Sequence, residues 1–363
     1  MTGARPLRAV ALGGGHGLHA TLTALRRLTD DITAVVVVAD DGGSSGRIRR
    51  ELDMLPLGDL RMALGALAGQ EHPGPENTLW QRLFEHRFGG HGALAGHAVG
   101  NLVLAGLLEV LDDPVAALDQ ACHLLGVRGR VLPMSTHPVD IEADVTGIRG
   151  PAGGDEGRDV AHRIRGQVAV ATTPGRVQQV RLDPRRPKAC PEACDALRRA
   201  DVITLGPGSW FSSVLPHLLV PELFTALNES EARRVLVLNL APQPGETAGF
   251  SPEQHLEVLA AHAPRLRLDV VVADTAAVPE PDRLRRGAEA FGAETLLTTV
   301  GTPDGSARHD PEALAEALAD AAHHRMEHRE PSGVAARSGG TGTTIDGGPD
   351  PARPHQEEDR RWP

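Results

Sequence analysis

The sequence predicts an α/β fold built on a doubly wound, mostly parallel sheet with a smaller inserted lobe. Three observations carry this. Leu7–Leu12 reads as a buried strand that opens into Gly13-Gly14-Gly15-His16-Gly17 and then a helical stretch to about Leu28. Ile32–Ala39 is a β-branched run without polar alternation, as expected of a strand covered on both faces. The same order of strand, glycine turn and helix returns at Val202–Leu205 and Gly206-Pro207-Gly208-Ser209, and that order is the start of a βαβ unit.

The remaining elements follow along the chain. Asp59 to about Leu125 reads as mostly helical, broken by the glycine and histidine segment Gly89–Gly100. Val127–Met134, Ile141–Val145, Ile164–Thr172 and Val177–Leu182 read as strands or hairpin arms, with Gly147–Gly157 a flexible loop between them. This stretch, about 127–185, is taken as the insertion. Val235–Leu240, Leu268–Ala273 and Thr295–Val300 resume the core strands, separated by helices near 252–262 and 280–291. Pro311–His324 is a final amphipathic helix, with proline in its first turn. Residues 1–325 then form one domain. Residues 326–363 turn to Gly, Ser, Thr, Pro and charge, the composition of a disordered tail.

Composition narrows the function. The chain has 363 residues, a formal net charge of −11, no tyrosine and one lysine, Lys188. That charge argues against general affinity for nucleic acid backbones. Lys188 lies in a proline-rich stretch, so no glycine loop carries the lysine of a P-loop. No apolar run approaches the ~18 residues of a membrane span, and no signal peptide is seen. Three cysteines make no disulfide framework, so a cytoplasmic protein is expected. Histidines lack zinc-site spacing, and no serine elbow is present; no catalytic residue is assigned.

The candidate site is a set of loops expected at strand ends. Gly13, Gly14, Gly15, His16 and Gly17 would allow a tight turn, with the free N–H groups of the helix start favouring an anion. The spacing is not that of a dinucleotide fingerprint, because Leu18 takes the last glycine position. Asp40 and Asp41 end the second strand, beside Ser44 and Ser45. They would take a ribose hydroxyl or hold a hydrated magnesium ion near phosphates. Asp59 reads as an N-cap, after which Arg61 could face phosphates. His97 and Asn101, four apart, could share one helix face. Gly206, Gly208 and Ser209 would form a second anion cradle, followed by Asn239 and the stiff turn containing Gln243. Arg308 precedes the last helix, whose N-cap is Asp310.

Seven segments in this order resemble the gluconeogenesis factor family (YvcK-like), itself related to the 2-phospho-L-lactate transferases (CofD-like). They are Gly13–Leu18, Ala39–Arg47, Pro56–Arg61, Gly96–Leu102, Gly206–Ser209, Pro242–Thr247 and Arg308–Pro311. The resemblance implies a Rossmann-like sheet and binding of UDP-linked sugars such as UDP-N-acetylglucosamine. It also implies a regulatory role in cell shape and wall synthesis during gluconeogenic growth, with homo-oligomers or cell-wall synthesis proteins as partners. The transferase relatives imply the alternative, a magnesium-dependent enzyme; an oxidoreductase is disfavoured. His16 stands where threonine is usual, and Phe250 where tyrosine is common. Phe250 loses a hydroxyl there but keeps a ring able to stack on a base.

Overall fold

The computed structural model describes residues 5–68, 75–148, 160–243 and 245–323. The expected tail at 326–363, most of the Gly147–Gly157 loop and Pro244 lie outside the described residues. The chain begins β1 (Ala9–Gly13), α1 (Gly15–Leu25) and β2 (Ile32–Val36). Five helices follow: α2 (Gly43–Leu52), α3 (Gly58–Leu67), α4 (Pro75–Glu85), α5 (Val99–Leu111) and α6 (Pro114–Leu125). They lead to β3 (Arg130–Pro133). The inserted lobe holds β4 (Asp140–Thr146), β5 (His162–Arg165), the short helix α7 (Gln167–Ala171) and β6 (Arg176–Asp183).

After α8 (Pro191–Arg199), the core resumes with β7 (Val202–Leu205), a π-helical turn at Trp210–Val214, α9 (Leu215–Leu218) and α10 (Pro221–Glu229). It ends with β8 (Arg233–Val237), α11 (Pro252–His262), β9 (Val270–Asp274), α12 (Pro281–Glu289), β10 (Glu294–Thr298) and α13 (Pro311–His323).

The large sheet has the order β10-β9-β8-β7-β1-β2-β3, and every pairing in it is parallel. β1 and β7 are buried along their whole length. This explains why neither shows a polar alternation. Trp210 and Phe211 are fully buried beneath the sheet's second half. The lobe is a separate antiparallel sheet, β5-β4-β6, and β4 alternates intermediate and buried positions as a one-sided strand does. It docks on the core through Asp140, which pairs with Arg49 of α2 at 2.6 Å and with Arg165 of β5 at 2.6 Å.

Three sequence expectations are corrected. Val127–Met134, placed in the insertion, supplies β3, which pairs in parallel with β2 at the edge of the large sheet. Ile164–Thr172, read as one strand, breaks at Gly166 (φ 101°) into β5 and α7. The Asp41 carboxylate accepts the Val168 N–H at 2.9 Å, which satisfies a helix-start donor that strand continuation would have paired otherwise. Asp59 does not cap α3: Leu57 stands at the cap, and Asp59 lies inside the first turn.

Candidate ligand-binding cleft

β1 and β7 are neighbours, yet the chain builds outward from them in opposite directions. Crevices at the carboxyl ends of strands beside such a switch point are where open α/β sheets bind ligands. A cleft of about 940 Å³ lies here. His16 and Gly17 line it from the loop after β1, and Pro207 and Gly208 from the loop after β7. Asn239 and Gln243 enter after β8, and Arg308 and His309 after β10.

The two glycine loops touch. A Cβ on Gly17 would come within 2.1 Å of the Pro207 carbonyl oxygen, so only glycine permits this approach. The hydroxyl of Thr21 donates to the Gly206 carbonyl at 2.9 Å. Asn239 accepts the Gly208 N–H at 2.9 Å and donates to the Gly208 carbonyl at 2.8 Å. Asn239 therefore braces the loop with both arms.

Neither helix start is an open anion cradle, because each already holds a carboxylate of the protein. At α1, Asp59 lies against Gly14, where a Cβ would meet Asp59 Oδ2 at 2.5 Å. Burial first, and then the negative Asp40, push the Asp59 carboxyl up to about 7, although the Gly15 N–H and Arg61 draw it down. Asp59 Oδ2 is buried and has no hydrogen-bond partner among the described residues. At the second loop, buried Glu246 accepts from the Ser209 hydroxyl, from the Ser212 hydroxyl at 2.9 Å and from the Phe211 N–H at 3.3 Å. Ser209 thus spends its hydroxyl inside the protein.

Asp40 and Asp41, expected to act as a pair, diverge. Asp40 accepts the Gly42 N–H at 2.9 Å, and burial raises its pKa. Asp41 turns to the lobe and caps α7. Ser45 accepts the Gly58 N–H at 3.1 Å. Ser44 meets His97 Nδ1 at 3.0 Å and Asn101 Nδ2 at 3.1 Å, so His97 and Asn101 do converge, but on a buried serine. Arg61 is buried, near Arg87, Glu85 and Asp59.

Phe250 lines a second cavity, of about 540 Å³, together with Arg176 of the lobe, Gly245 and Glu246. The turn that starts at Gln243 borders both cavities, with Gln243 on the first and Gly245 and Glu246 on the second. Its backbone is locked where Gln243 N–H donates to Thr247 Oγ1 at 2.9 Å and Thr247 N–H donates to the Gln243 carbonyl at 3.0 Å.

Sequence reasoning missed three groups: Asp59 at the glycine loop, Glu246 under Ser209, and His309. Each lies inside a segment singled out for another residue. The loop bearing His309 is fixed by buried Asp274, which accepts from Val300 N–H and Gly301 N–H at 2.8 Å each. Among the described residues, no three His, Cys, Asp or Glu side chains form a group able to hold a metal ion. No single helix among them is long and apolar enough to cross a membrane.

Fold and cleft together define a doubly wound α/β protein with an open crevice at its switch point. The family model for 2-phospho-L-lactate transferase CofD matches residues 9–297. A Mycobacterium tuberculosis protein, named provisionally as a gluconeogenesis factor, is 54% identical over 342 residues, covering 93% of this chain and 96% of its own. The gluconeogenesis factor of Listeria monocytogenes is 33% identical over 322 residues, covering 86% and 94%. A crystal structure of a UPF0052 family member from Bacillus halodurans has a TM-score of 0.75 and 32% identity, covering 87% of this chain and 100% of that one. The chain belongs to the gluconeogenesis factor family, within the CofD-like proteins.

Proposed function

We propose that the protein is a cytoplasmic regulator that binds a nucleotide sugar of the UDP-N-acetylglucosamine kind in the switch-point cleft. Its output would be control of cell shape and wall synthesis during gluconeogenic growth, through a homo-oligomer or cell-wall synthesis proteins. One observation carries the reading. Arg308 stands exposed in the cleft with no direct hydrogen bond or ion pair to its guanidinium among the described residues, and the Asp304 carboxylate is close enough to feel its charge. An exposed arginine lining a crevice suits a diphosphate, which it can hold through charge-assisted, bidentate contacts. Among the described residues that line the cleft, Arg308 is the one arginine or lysine. Calorimetry tests this directly. UDP-N-acetylglucosamine should bind, a nicotinamide dinucleotide should bind more weakly, and Arg308→Ala should cost about 1.5–3 kcal/mol of affinity. Unchanged affinity in that variant would remove Arg308 from the site.

A second reading, a magnesium-dependent transferase, is favoured by Asp59. Asp40 and Asp41 do not fit magnesium as a pair, since their carboxylates point to different elements. Asp59 and Asp40 fit better. They repel one another, and Asp59 keeps a buried, unpartnered oxygen beside the glycine loop. Magnesium typically takes one or two carboxylates together with substrate phosphates. Bound there, it would neutralise phosphate charge during group transfer. A strict magnesium requirement for nucleotide binding, lost in Asp59→Asn, would favour this enzyme over the regulator.

A further inference from the structure

The cleft contains polar atoms whose chemistry specifies its ligand further, on the premise that the nucleotide-sugar reading above holds. His309 Nε2 and Gln243 Oε1 are both buried, and neither has a hydrogen-bond partner among the described residues. Both residues line the cleft. Buried polar atoms are rarely left unpaired, and where their residues line a cavity the missing partner can come from an occupant of it. The backbone at both residues is tied down. His309 follows a loop stapled by Asp274 and pairs across a β-bridge with Gly301. Gln243 belongs to the turn closed by Thr247.

The state of the imidazole decides what it seeks. The Leu238 backbone carbonyl favours a proton on the ring. Nε2 has no partner, so that proton belongs on Nδ1 and leaves Nε2 with its lone pair. Burial, more than any charge, holds His309 below the usual histidine range, so the ring is neutral at pH 7. An arginine at residue 308 and an acceptor at 309 therefore read opposite chemistries: Arg308 suits an anion, and Nε2 rejects one.

We infer that His309 is a specificity-determining residue that accepts a hydrogen bond from a neutral donor of the ligand, with Gln243 lining the same cleft. The donor is either a hydroxyl of the N-acetylglucosamine ring or the imide N–H of the base. A site with a buried acceptor discriminates strongly against ligands lacking the donor, because the acceptor is then left unpaired. The phosphates are excluded from this part of the cleft, since at neutral pH a diphosphate presents acceptors.

The test is calorimetry on the full chain with UDP-N-acetylglucosamine, UDP and N3-methyl-UDP as probes, using wild type, His309→Leu and His309→Gln. Leucine removes the acceptor; glutamine can return one at similar reach. The expected result is an affinity for UDP-N-acetylglucosamine that falls about tenfold in His309→Leu and largely recovers in His309→Gln. A sugar donor predicts that UDP alone is insensitive to the leucine variant. An imide donor predicts that wild type loses affinity for N3-methyl-UDP, and that this probe does not respond to the substitution. Equal affinities for every probe in wild type and both variants, with all three folded by circular dichroism, overturn the inference while leaving the nucleotide-sugar reading intact. Absence of any nucleotide-sugar binding by wild type overturns the reading and the inference with it.

Discussion

Asp59→Asn should make the folded protein more stable, and the gain should grow with pH. The folded Asp59 carboxyl sits at about 7 against an ordinary 3.8. Its contribution to stability is thus fully present below pH 3.8 and is lost as pH rises through 7. Between pH 5 and 7 the unfolded chain is ionised at this residue and the folded one is not. Stability then falls by ~1.4 kcal/mol per pH unit. Between pH 5 and pH 8, the difference between variant and wild type should widen by roughly 2–3 kcal/mol. Some access of water to the carboxyl places the lower end as the expected value. Asparagine keeps the shape and can still accept the Gly15 N–H, so packing against Gly14 is preserved. Urea unfolding of both proteins at each pH measures the gap, and the many other titrating groups cancel in the difference. A gap that stays constant from pH 5 to pH 8 would refute the account of Asp59 as a carboxylate crowded by burial and by Asp40.

Further expectations concern the loops and the core. Gly17→Ala should destabilise by ~1–3 kcal/mol, because the new methyl meets the backbone of Pro207 rather than a flexible side chain; an unchanged thermal midpoint would contradict the loop contact. Glu246→Ala strands the Ser209, Ser212 and Phe211 donors and should cost at least about 2 kcal/mol in denaturant unfolding. Buried His217, whose Nε2 meets the Val35 carbonyl at 3.0 Å, is held down to about 4 by burial. It supplies stability that is present above 6.5 and lost as pH falls through 4. His217→Gln should therefore flatten the acid limb of the stability profile, by up to roughly 3 kcal/mol.

Much of this architecture was legible in the chain. The β-branched run of β2 and the glycine turns after β1 and β7 mark the switch point, because backbone proximity demands glycine and two-sided burial demands uniform apolarity. Asp310 was legible as a cap, since it accepts the N–H groups of Glu312 and Ala313 at 2.9 Å each. What failed to show were contacts across long stretches of sequence. Asp41 looks like a site carboxylate until the lobe delivers Val168 to it. Ser209 looks like an open hydroxyl until the turn at Glu246 closes on it. Asp59 satisfies the local rule for a cap, yet the Leu57 cap and the packing of α3 against the Gly14 loop put it elsewhere. Local pattern proposes polar groups for a ligand; only the tertiary fold reveals which of them the protein has already used.

The turn from Gln243 to Thr247 has a consequence of its own. One face of it borders the cleft of Arg308, and the other borders the chamber shared by Phe250 and Arg176. Its backbone is cross-tied by Thr247 and anchored from below by Glu246. An occupant that displaces it from one side alters the room available on the other. Linkage then makes the influence mutual, with each occupant changing the affinity for the other by the same factor.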